Sequence, residues 1–347
     1  MLGPRPPTGK DVAVPQDRSG RPARITDVAA LAGVSIGTAS KALNDTGQLR
    51  DETRARVKDA AEKLGFVGDA RARALSSGRT YTVGMVTTDS FGRFTMPVLL
   101  GAEDALSAGE VMVLLADTRD DHVREAHYLR SLVARGVDGI IVTGRSADAR
   151  PPIDVPVPVP VVYALTPSTS ASDVSVTLDD AGGAADAAAH VLALGRRRVA
   201  VVSGPADARS AVSRATGARS VLGDRMVGEP MHGEWSERWG RQAVDLLDRA
   251  PADVDAVVCG NDQIARGVCD RLRETGRSVP GDVAVTGYDD WDVVALASRP
   301  PLTTVDMRLD ELGRIAGRSL LELVAGGRPA SVSVTPSLVV RESTVGA

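Results

Sequence analysis

The chain has 347 residues, a net charge of −4 at pH 7, 43% hydrophobic residues and 25% charged residues. This length and composition suit two or three globular domains. Two cysteines and four histidines exclude a disulfide-built scaffold and a cysteine-rich zinc site, and an aromatic content of 3% argues against stacking on single-stranded bases as the main activity.

The N-terminal part of the chain is basic, and the rest is acidic. Residues 1–24 are rich in proline, glycine and charge, which predicts a disordered tail. They lack the apolar core of a secretory signal, and no apolar run is long enough to span a membrane. We therefore expect a cytoplasmic protein without a membrane partner. Residues 1–80 carry a net charge of +5 and the remainder −9, an asymmetry typical of a DNA-binding head on a sensor domain.

Residues 25–67 show three short helical patterns. We expect Thr26 to cap the first helix, whose apolar positions are Val28, Ala29, Leu31 and Ala32. Gly33 predicts a tight turn, Ser35 a cap on a second helix to about Asn44, and Gly65 the end of a third. A short helix, a glycine turn and a helix with a small, polar outer face predict a helix-turn-helix. A helical hairpin without a DNA role is the alternative.

From Tyr81 onward, short Val/Ile-rich runs alternate with Ala/Leu/Arg-rich stretches. The alternation predicts βαβ units and parallel sheets covered on both faces. The predicted strands are 83–87, 111–116, 139–143, 159–163, 199–202, 256–259 and 283–286, and helices are predicted at 99–108, 124–135, 182–194, 237–249 and 261–275. The region 81–347 is long enough to form two lobes of this kind.

Ordered motifs cover everything but the first 24 residues. They include ITDVAALAGVS at 25–35, TASKALN at 38–44, ETRARV at 52–57, NDQIA at 261–265, VPGDVAVTGYDD at 279–290 and PPLTTVD at 300–306. On these motifs the chain resembles the lactose-repressor (LacI/GalR) family of bacterial transcription factors. The resemblance implies an all-α helix-turn-helix head at 25–67, a hinge at 68–80, and a two-lobed α/β domain at 81–347 with doubly wound parallel sheets. That domain, similar to periplasmic sugar-binding proteins, binds an effector and dimerises.

In that family the second helix reads the operator. The matching first exposed positions are Ile36 and Gly37, with Lys41 one turn on. Ile36 suits a thymine methyl, and Lys41 a guanine edge or a phosphate, whereas Gly37 has no side chain with which to read a base. For Ile36, the alternative is a partly buried contact within the head. Phosphate contacts and helix capping are assigned to Thr26, Ser35, Thr38 and Ser40.

The hinge match places a minor-groove wedge at Leu75, with Arg73 beside it. An apolar wedge kinks the duplex and permits further contacts. The sequence departs from the family just ahead, with Gly68 in place of the usual proline and Asp69 in place of asparagine. A negative charge near phosphate is unfavourable, so hinge strength stays open, and an ordinary linker leucine is the alternative for Leu75.

Polar residues follow two predicted strands at their carboxyl ends, where doubly wound sheets bind ligands. Asn261 offers a donor and an acceptor, Asp289 offers two acceptor oxygens, and Arg214 can join them to bind vicinal hydroxyls or a charged group. The family match adds Trp235 as an aromatic wall and Phe94 on the facing lobe. As alternatives, Trp235 is plain core, or Asp289 and Arg214 pair with each other.

No catalytic pattern accompanies these residues. The first strand is followed by Thr88-Asp89-Ser90-Phe91-Gly92, which is not a dinucleotide fingerprint, and neither a Walker loop nor a nucleophile elbow is present. We therefore expect no enzyme, no cofactor and no metal.

The sequence predicts a homodimeric regulator, most simply a repressor. It binds double-stranded operator DNA and is controlled by a small molecule such as a sugar or related metabolite. A solute-binding sensor of the periplasmic type and a regulator controlled by a protein co-regulator are the alternatives.

Overall fold

The computed structural model describes residues 23–66, 79–106, 111–249 and 253–346. The chain divides into two compact units, Met1–Thr80 and Tyr81–Ala347. Residues 1–22 of the expected disordered tail at 1–24 lie outside the described residues, as do Gly68 and Asp69. Within the described ranges, no helix is long and apolar enough to cross a membrane.

In the first unit, residues 23–66 form α1 (Ile25–Ala32), α2 (Ile36–Leu43) and α3 (Asp51–Lys63). Gly33 joins α1 to α2 in a left-handed conformation with φ +65°, which a residue with a Cβ rarely adopts. The three helices share a core of small side chains, which lets their axes approach closely. Its fully buried members are Val28, Ala29, Ala32, Ala39, Ala42, Val57, Ala60 and Ala61.

Two details of the first helix differ from expectation. Thr26 does not cap α1, because the helix already begins at Ile25, with Arg24 as the N-terminal boundary. The backbone N–H of Arg24 instead donates to the Asp27 carboxylate at 2.9 Å. Leu31 is 54% exposed and lies outside the core. Ser35 does cap α2, since its hydroxyl accepts the N–H of Thr38 at 3.1 Å.

The first lobe of the second unit is a parallel sheet in the order β11-β5-β4-β3-β1-β2. Its strands are β1 (Thr82–Thr87), β2 (Met112–Asp117), β3 (Gly139–Thr143), β4 (Val161–Ala164), β5 (Val174–Leu178) and β11 (Val332–Val334). The helices α4 (Thr95–Ala105), α5 (His122–Ala134) and α11 (Leu309–Val324) belong to this lobe. Buried valines and isoleucines on both faces of β3 explain why a parallel sheet reads as a continuous apolar run.

The second lobe is a smaller parallel sheet in the order β7-β6-β8-β9. Its strands are β6 (Val199–Ser203), β7 (Met231–His232), β8 (Ala256–Cys259) and β9 (Ala284–Thr286). Its helices are α6 (Asp180–Ala193), α7 (Arg209–Leu222), α8 (Glu237–Leu247), α9 (Asp262–Glu274) and α10 (Asp292–Ala295). The antiparallel pair β10 (Thr304–Asp306) and β12 (Ser337–Val339) and the short α12 (Glu342–Val345) complete the unit.

Glycines set the distance between packed helices. A Cβ on Gly217 of α7 would lie 2.0 Å from the carbonyl oxygen of Ala181 in α6. The same close approach recurs where α4 meets α11, at Gly101 and Gly313, and where α8 meets α9, at Gly240. The partner in each case is a main-chain carbonyl that cannot move aside, so these helix pairs require glycine at the crossing.

Each predicted strand and helix of this region overlaps an observed one. Among the elements without a predicted counterpart are α7, α11, β5 and the short strands β10 to β12. The predicted helix at 99–108 begins earlier, at Thr95, because Pro97 lies within its first turn, where no backbone N–H is needed.

Candidate functional site

Helix α2 presents the residues assigned to base reading on its exposed surface. Ile36, Gly37 and Lys41 are all exposed. Ile36 is 53% exposed, which excludes a role in the core of the head. Among the described residues, Lys41 makes no ion pair that would occupy its ammonium group.

The remaining polar residues assigned in the head lie at the two ends of α2 and in the first turn of α1. The hydroxyls of Ser35 and Thr38 lie 2.9 Å apart, and Ser40 accepts the side-chain amide of Asn44 at 3.4 Å. Thr26 is exposed in the first turn of α1. Ser35 therefore has a capping role that leaves its hydroxyl on the surface. The two hinge residues Arg73 and Leu75 lie outside the described residues.

The five residues assigned to the effector line one cavity of about 370 Å³ in the second unit. Phe94 precedes α4 in the first lobe, and Arg214 projects from α7 in the second. Trp235 lies between β7 and α8. Asn261 begins α9 directly after β8, and Asp289 follows β9, so both lie at carboxyl ends of parallel strands. The fold thus brings together side chains that are far apart in sequence.

Arg214 is the centre of a buried ion-pair network. Its Nε donates to Asp180 at 2.8 Å, and its Nη1 donates to Asp289 at 3.2 Å and to the Gly260 carbonyl at 2.7 Å. Burial opposes the charged form, yet the carboxylates of Asp180 and Asp289 raise the pKa of Arg214. The guanidinium is therefore a permanent cation, and the alternative that Arg214 and Asp289 pair with each other is realised in this structure.

Aromatic rings enclose the same guanidinium. The Arg214 guanidinium carbon lies 3.7 Å from the centre of the Tyr288 ring and 5.7 Å from that of Trp235. Trp235 is half-buried and packs against Gly204, where an added Cβ would approach the indole to 2.3 Å. Trp235 was expected either as an aromatic wall of the cavity or as a core residue. It combines the two, because it packs against the core of the second lobe and also lines the cavity.

Two further polar residues have structural partners. The Oδ1 of Asn261 accepts the N–H of Ile264 at 2.8 Å and caps α9, which leaves its amide nitrogen to donate to a ligand. Asp290 accepts from Arg341 at 2.7 Å and does not line the cavity that contains Asp289. Asp289 and Asp290, although adjacent, therefore differ in role.

Asp262 is fully buried behind the cavity. Its carboxylate accepts the N–H of Trp291 at 2.7 Å and the hydroxyl of Thr304. Burial and the nearby charge of Asp289 raise the pKa of Asp262 to about 8. Asp262 thereby holds the start of α9 to the loop that carries Asp289.

Four charged residues that line the cavity were not predicted from the sequence. The cavity also contains Arg93, Arg145, Asp148 and Asp180. Arg93 immediately precedes Phe94, but nothing in the local pattern distinguishes it from a surface arginine. Among the described residues, no group of histidine, cysteine or carboxylate side chains could hold a metal ion.

Two family models and several known proteins match this chain. Residues 24–69 match the family model of bacterial regulatory proteins, lacI family, and residues 188–344 match a periplasmic binding protein-like domain. The HTH-type transcriptional regulator CelR of Thermobifida fusca is 35% identical over 336 residues, 91% of this chain and 96% of the relative. The HTH-type transcriptional repressor PurR of Vibrio atlanticus is 30% identical over 87% of this chain and 92% of the relative.

Solved structures show the same architecture. A complex of the transcriptional regulator CelR with cellobiose superimposes with a TM-score of 0.63 at 32% identity, covering 92% of this chain and 99% of that one. The Lac repressor bound to ONPG in its repressed state gives a TM-score of 0.73 at 24% identity, over 93% of this chain and 100% of that one, and supports the fold alone.

Proposed function

Because the chain belongs to the LacI family of bacterial regulatory proteins, we propose that it is a cytoplasmic, homodimeric repressor and not an enzyme. Its head binds a near-palindromic operator, and an effector in the cavity of the second unit controls that binding. The observation that carries the effector role is the cavity itself, which is lined by all five residues assigned from sequence. Control follows if the effector has different affinities for the two operator-binding states.

The charges of the cavity favour an uncharged, hydroxyl-rich effector. Three guanidinium groups and three carboxylates line it, so their charges balance: Arg93, Arg145, Arg214, Asp148, Asp180 and Asp289. A phosphate or a carboxylate on the ligand would upset this balance, whereas sugar hydroxyls can donate to the carboxylates and accept from the arginines. The Trp235 ring offers an apolar face to a pyranose. The cellobiose complex of CelR supports a carbohydrate.

Isothermal titration tests the effector assignment. We expect cellobiose to bind and glucose 6-phosphate to bind much more weakly. Asp289→Asn should weaken cellobiose binding by a factor of about 5 to 150, since about 1–3 kcal/mol is lost when a buried ligand group is left unpaired. Asp186→Asn is the matched control, because it removes the same charge from an exposed position on α6. Equal affinity of both variants for cellobiose would contradict the assignment of Asp289.

Exposed apolar side chains support the homodimer. Met112 and Leu115 lie on β2, an edge strand, and are 63% and 45% exposed. Met96 and Leu100, one turn apart on α4, are 44% and 55% exposed. Apolar residues on an edge strand invite pairing unless a partner covers them. Sedimentation equilibrium should show a dimer that Leu115→Lys weakens, and a wild-type monomer at micromolar concentration would contradict the proposal.

A further inference from the structure

Arg93 connects the two lobes of the second unit. It lies in the loop between β1 and α4, in the first lobe, yet its polar contacts are with the second lobe. Its Nη2 donates to Oδ2 of Asp289, and its Nη1 lies 3.5 Å from the side-chain oxygen of Gln263. Its guanidinium carbon is 4.3 Å from the centre of the Trp291 ring. An ion pair, a hydrogen bond and a cation–π contact thus join the lobes through one side chain.

This bridge occupies the carboxylate that the effector needs. The side chain of Asp289 is 6% exposed, and its Oδ1 already accepts from Arg214 while its Oδ2 accepts from Arg93. Asp289 is also held at φ +106°, a conformation rare for a residue with a side chain, so its direction is fixed by the surroundings. Each carboxylate oxygen has two acceptor sites, so an effector hydroxyl that reaches Oδ2 either shares this oxygen with the guanidinium or displaces it.

A second carboxylate, that of Asp306, lines a cavity that also contains Arg93. A smaller cavity of about 230 Å³ shares Arg93, Phe94, Asp289 and Met307 with the larger one, so the Arg93–Asp289 pair forms the wall between them. Asp306 lines this smaller cavity and makes no ion pair among the described residues. Burial, together with the charges of Asp290 and Asp310, raises the pKa of Asp306, although the N–H of Arg308 donates to this carboxylate at 2.7 Å. A guanidinium displaced from Asp289 would give Asp306 an ion-pair partner.

We propose that Arg93 is a positioning residue of the effector site. Without effector it holds Asp289 and keeps the lobes closed, and the effector displaces it toward Asp306. The inference rests on the proposed function in taking the larger cavity as the effector site. When the effector binds, it replaces the Arg93–Asp289 contact as a link between the lobes. The loss of one link offsets part of the gain from the other, so the lobes close less than the contacts of the effector alone would produce.

Hydrogen–deuterium exchange on the full-length protein tests the bridge without any ligand. In Arg93→Gln, the amides of residues 88–94 and 287–291 should exchange about tenfold faster than in the wild type, because local opening no longer breaks an ion pair. Arg93→Lys keeps the charge but loses the planar fork, and should restore part of the protection. Arg150→Gln is the matched control, since it breaks an ion pair of similar burial, with Glu125, inside the first lobe. Unchanged exchange in Arg93→Gln would overturn the bridge.

Titration with cellobiose tests the competition. Arg93→Gln should bind cellobiose with a Kd about tenfold lower than the wild type, because no ion pair has to be broken first. Asp306→Asn should raise the Kd, because the displaced guanidinium loses its acceptor. An unchanged or higher Kd in Arg93→Gln would show that Arg93 does not compete with the ligand. If cellobiose bound neither protein, the carbohydrate assignment would fail, while the exchange experiment would still decide the role of Arg93.

Discussion

Helix α2 and the cavity of the second unit differ in the exposure and pairing of the side chains assigned to binding. On α2, Ile36 and Lys41 are exposed, and Lys41 forms no ion pair within residues 23–66. In the cavity, Arg214 and Asp289 are buried and already bound to each other. A surface that reads DNA only has to shed water and counterions, whereas a buried site has to exchange one set of polar contacts for another. Substitution of Ile36 or Lys41 should therefore affect DNA binding alone, whereas substitution of Arg214 or Asp289 should affect both ligand binding and stability.

The largest effect should come from removing the centre of the buried network. Arg214→Met leaves the carboxylates of Asp180 and Asp289 without their shared cation, and removal of one partner of a buried ion pair typically costs about 3–5 kcal/mol. Urea denaturation should show this loss in the unfolding of the second unit. A loss below about 1 kcal/mol would mean that the network contributes little to folding and serves the ligand alone.

Alanine substitution of one glycine on α7 and one on α2 compares how closely the two helices are packed. Gly217→Ala should lower the free energy of unfolding by about 1–3 kcal/mol, because its Cβ would overlap the Ala181 carbonyl in a closely packed interface. Gly37→Ala on α2 has open space, with Ser35 Oγ at 3.9 Å as the nearest atom, and should stabilise the head through better helix propensity. Thermal unfolding of both variants checks the two signs. Destabilisation by Gly37→Ala would contradict the open environment assigned to α2.

The buried Asp262 should make the second unit less stable as the pH rises. Its folded-state pKa of about 8 lies above its ordinary value of 3.8, so its contribution is fully present below about pH 4 and is lost as the pH passes through 8. Between pH 6 and pH 8 we expect the free energy of unfolding to fall by about 2 kcal/mol. Urea denaturation at several pH values gives the free energy of unfolding as a function of pH. That free energy should fall less steeply with pH in Asp262→Asn than in the wild type, and an equal pH dependence in both proteins would contradict the raised pKa.

The smallest effect belongs to the exposed surface. Lys41→Ala should leave the free energy of unfolding almost unchanged. If Lys41 contacts a phosphate, the slope of log affinity against log salt should fall by about 0.9, whereas a guanine contact would relax preference at one base pair. Fluorescence anisotropy with operator and random duplexes separates these outcomes. Lys63→Ala, which removes the same charge from the end of α3, is the control. Identical affinities for Lys41→Ala and the wild type would remove Lys41 from the DNA contacts.

Local pattern was a good guide where one residue decides one feature. Ser35 caps α2, Gly33 makes the turn, and the buried strands β3 and β8 follow apolar runs in the sequence. Thr26 failed as a cap because the chain enters the helical conformation after Arg24, and the Asp27 carboxylate supplies the acceptor there. Leu31 failed as a core residue because alanines already fill the space between α1 and its neighbours.

The sequence by itself determined the three helices of the head, the alternation of most strands and helices after Tyr81, the exposed face of α2 and the residue types at the carboxyl ends of two strands, since all of these depend on spacing along the chain. Only the tertiary structure decided which charges meet. Arg93 and Asp289 are separated by 196 positions, and Arg214 and Asp180 by 34. Periodicity carries no information over such separations, because ion pairing depends on the distance between side chains and on their removal from water. The pairing that controls access to Asp289 was therefore visible only once the two lobes were folded together.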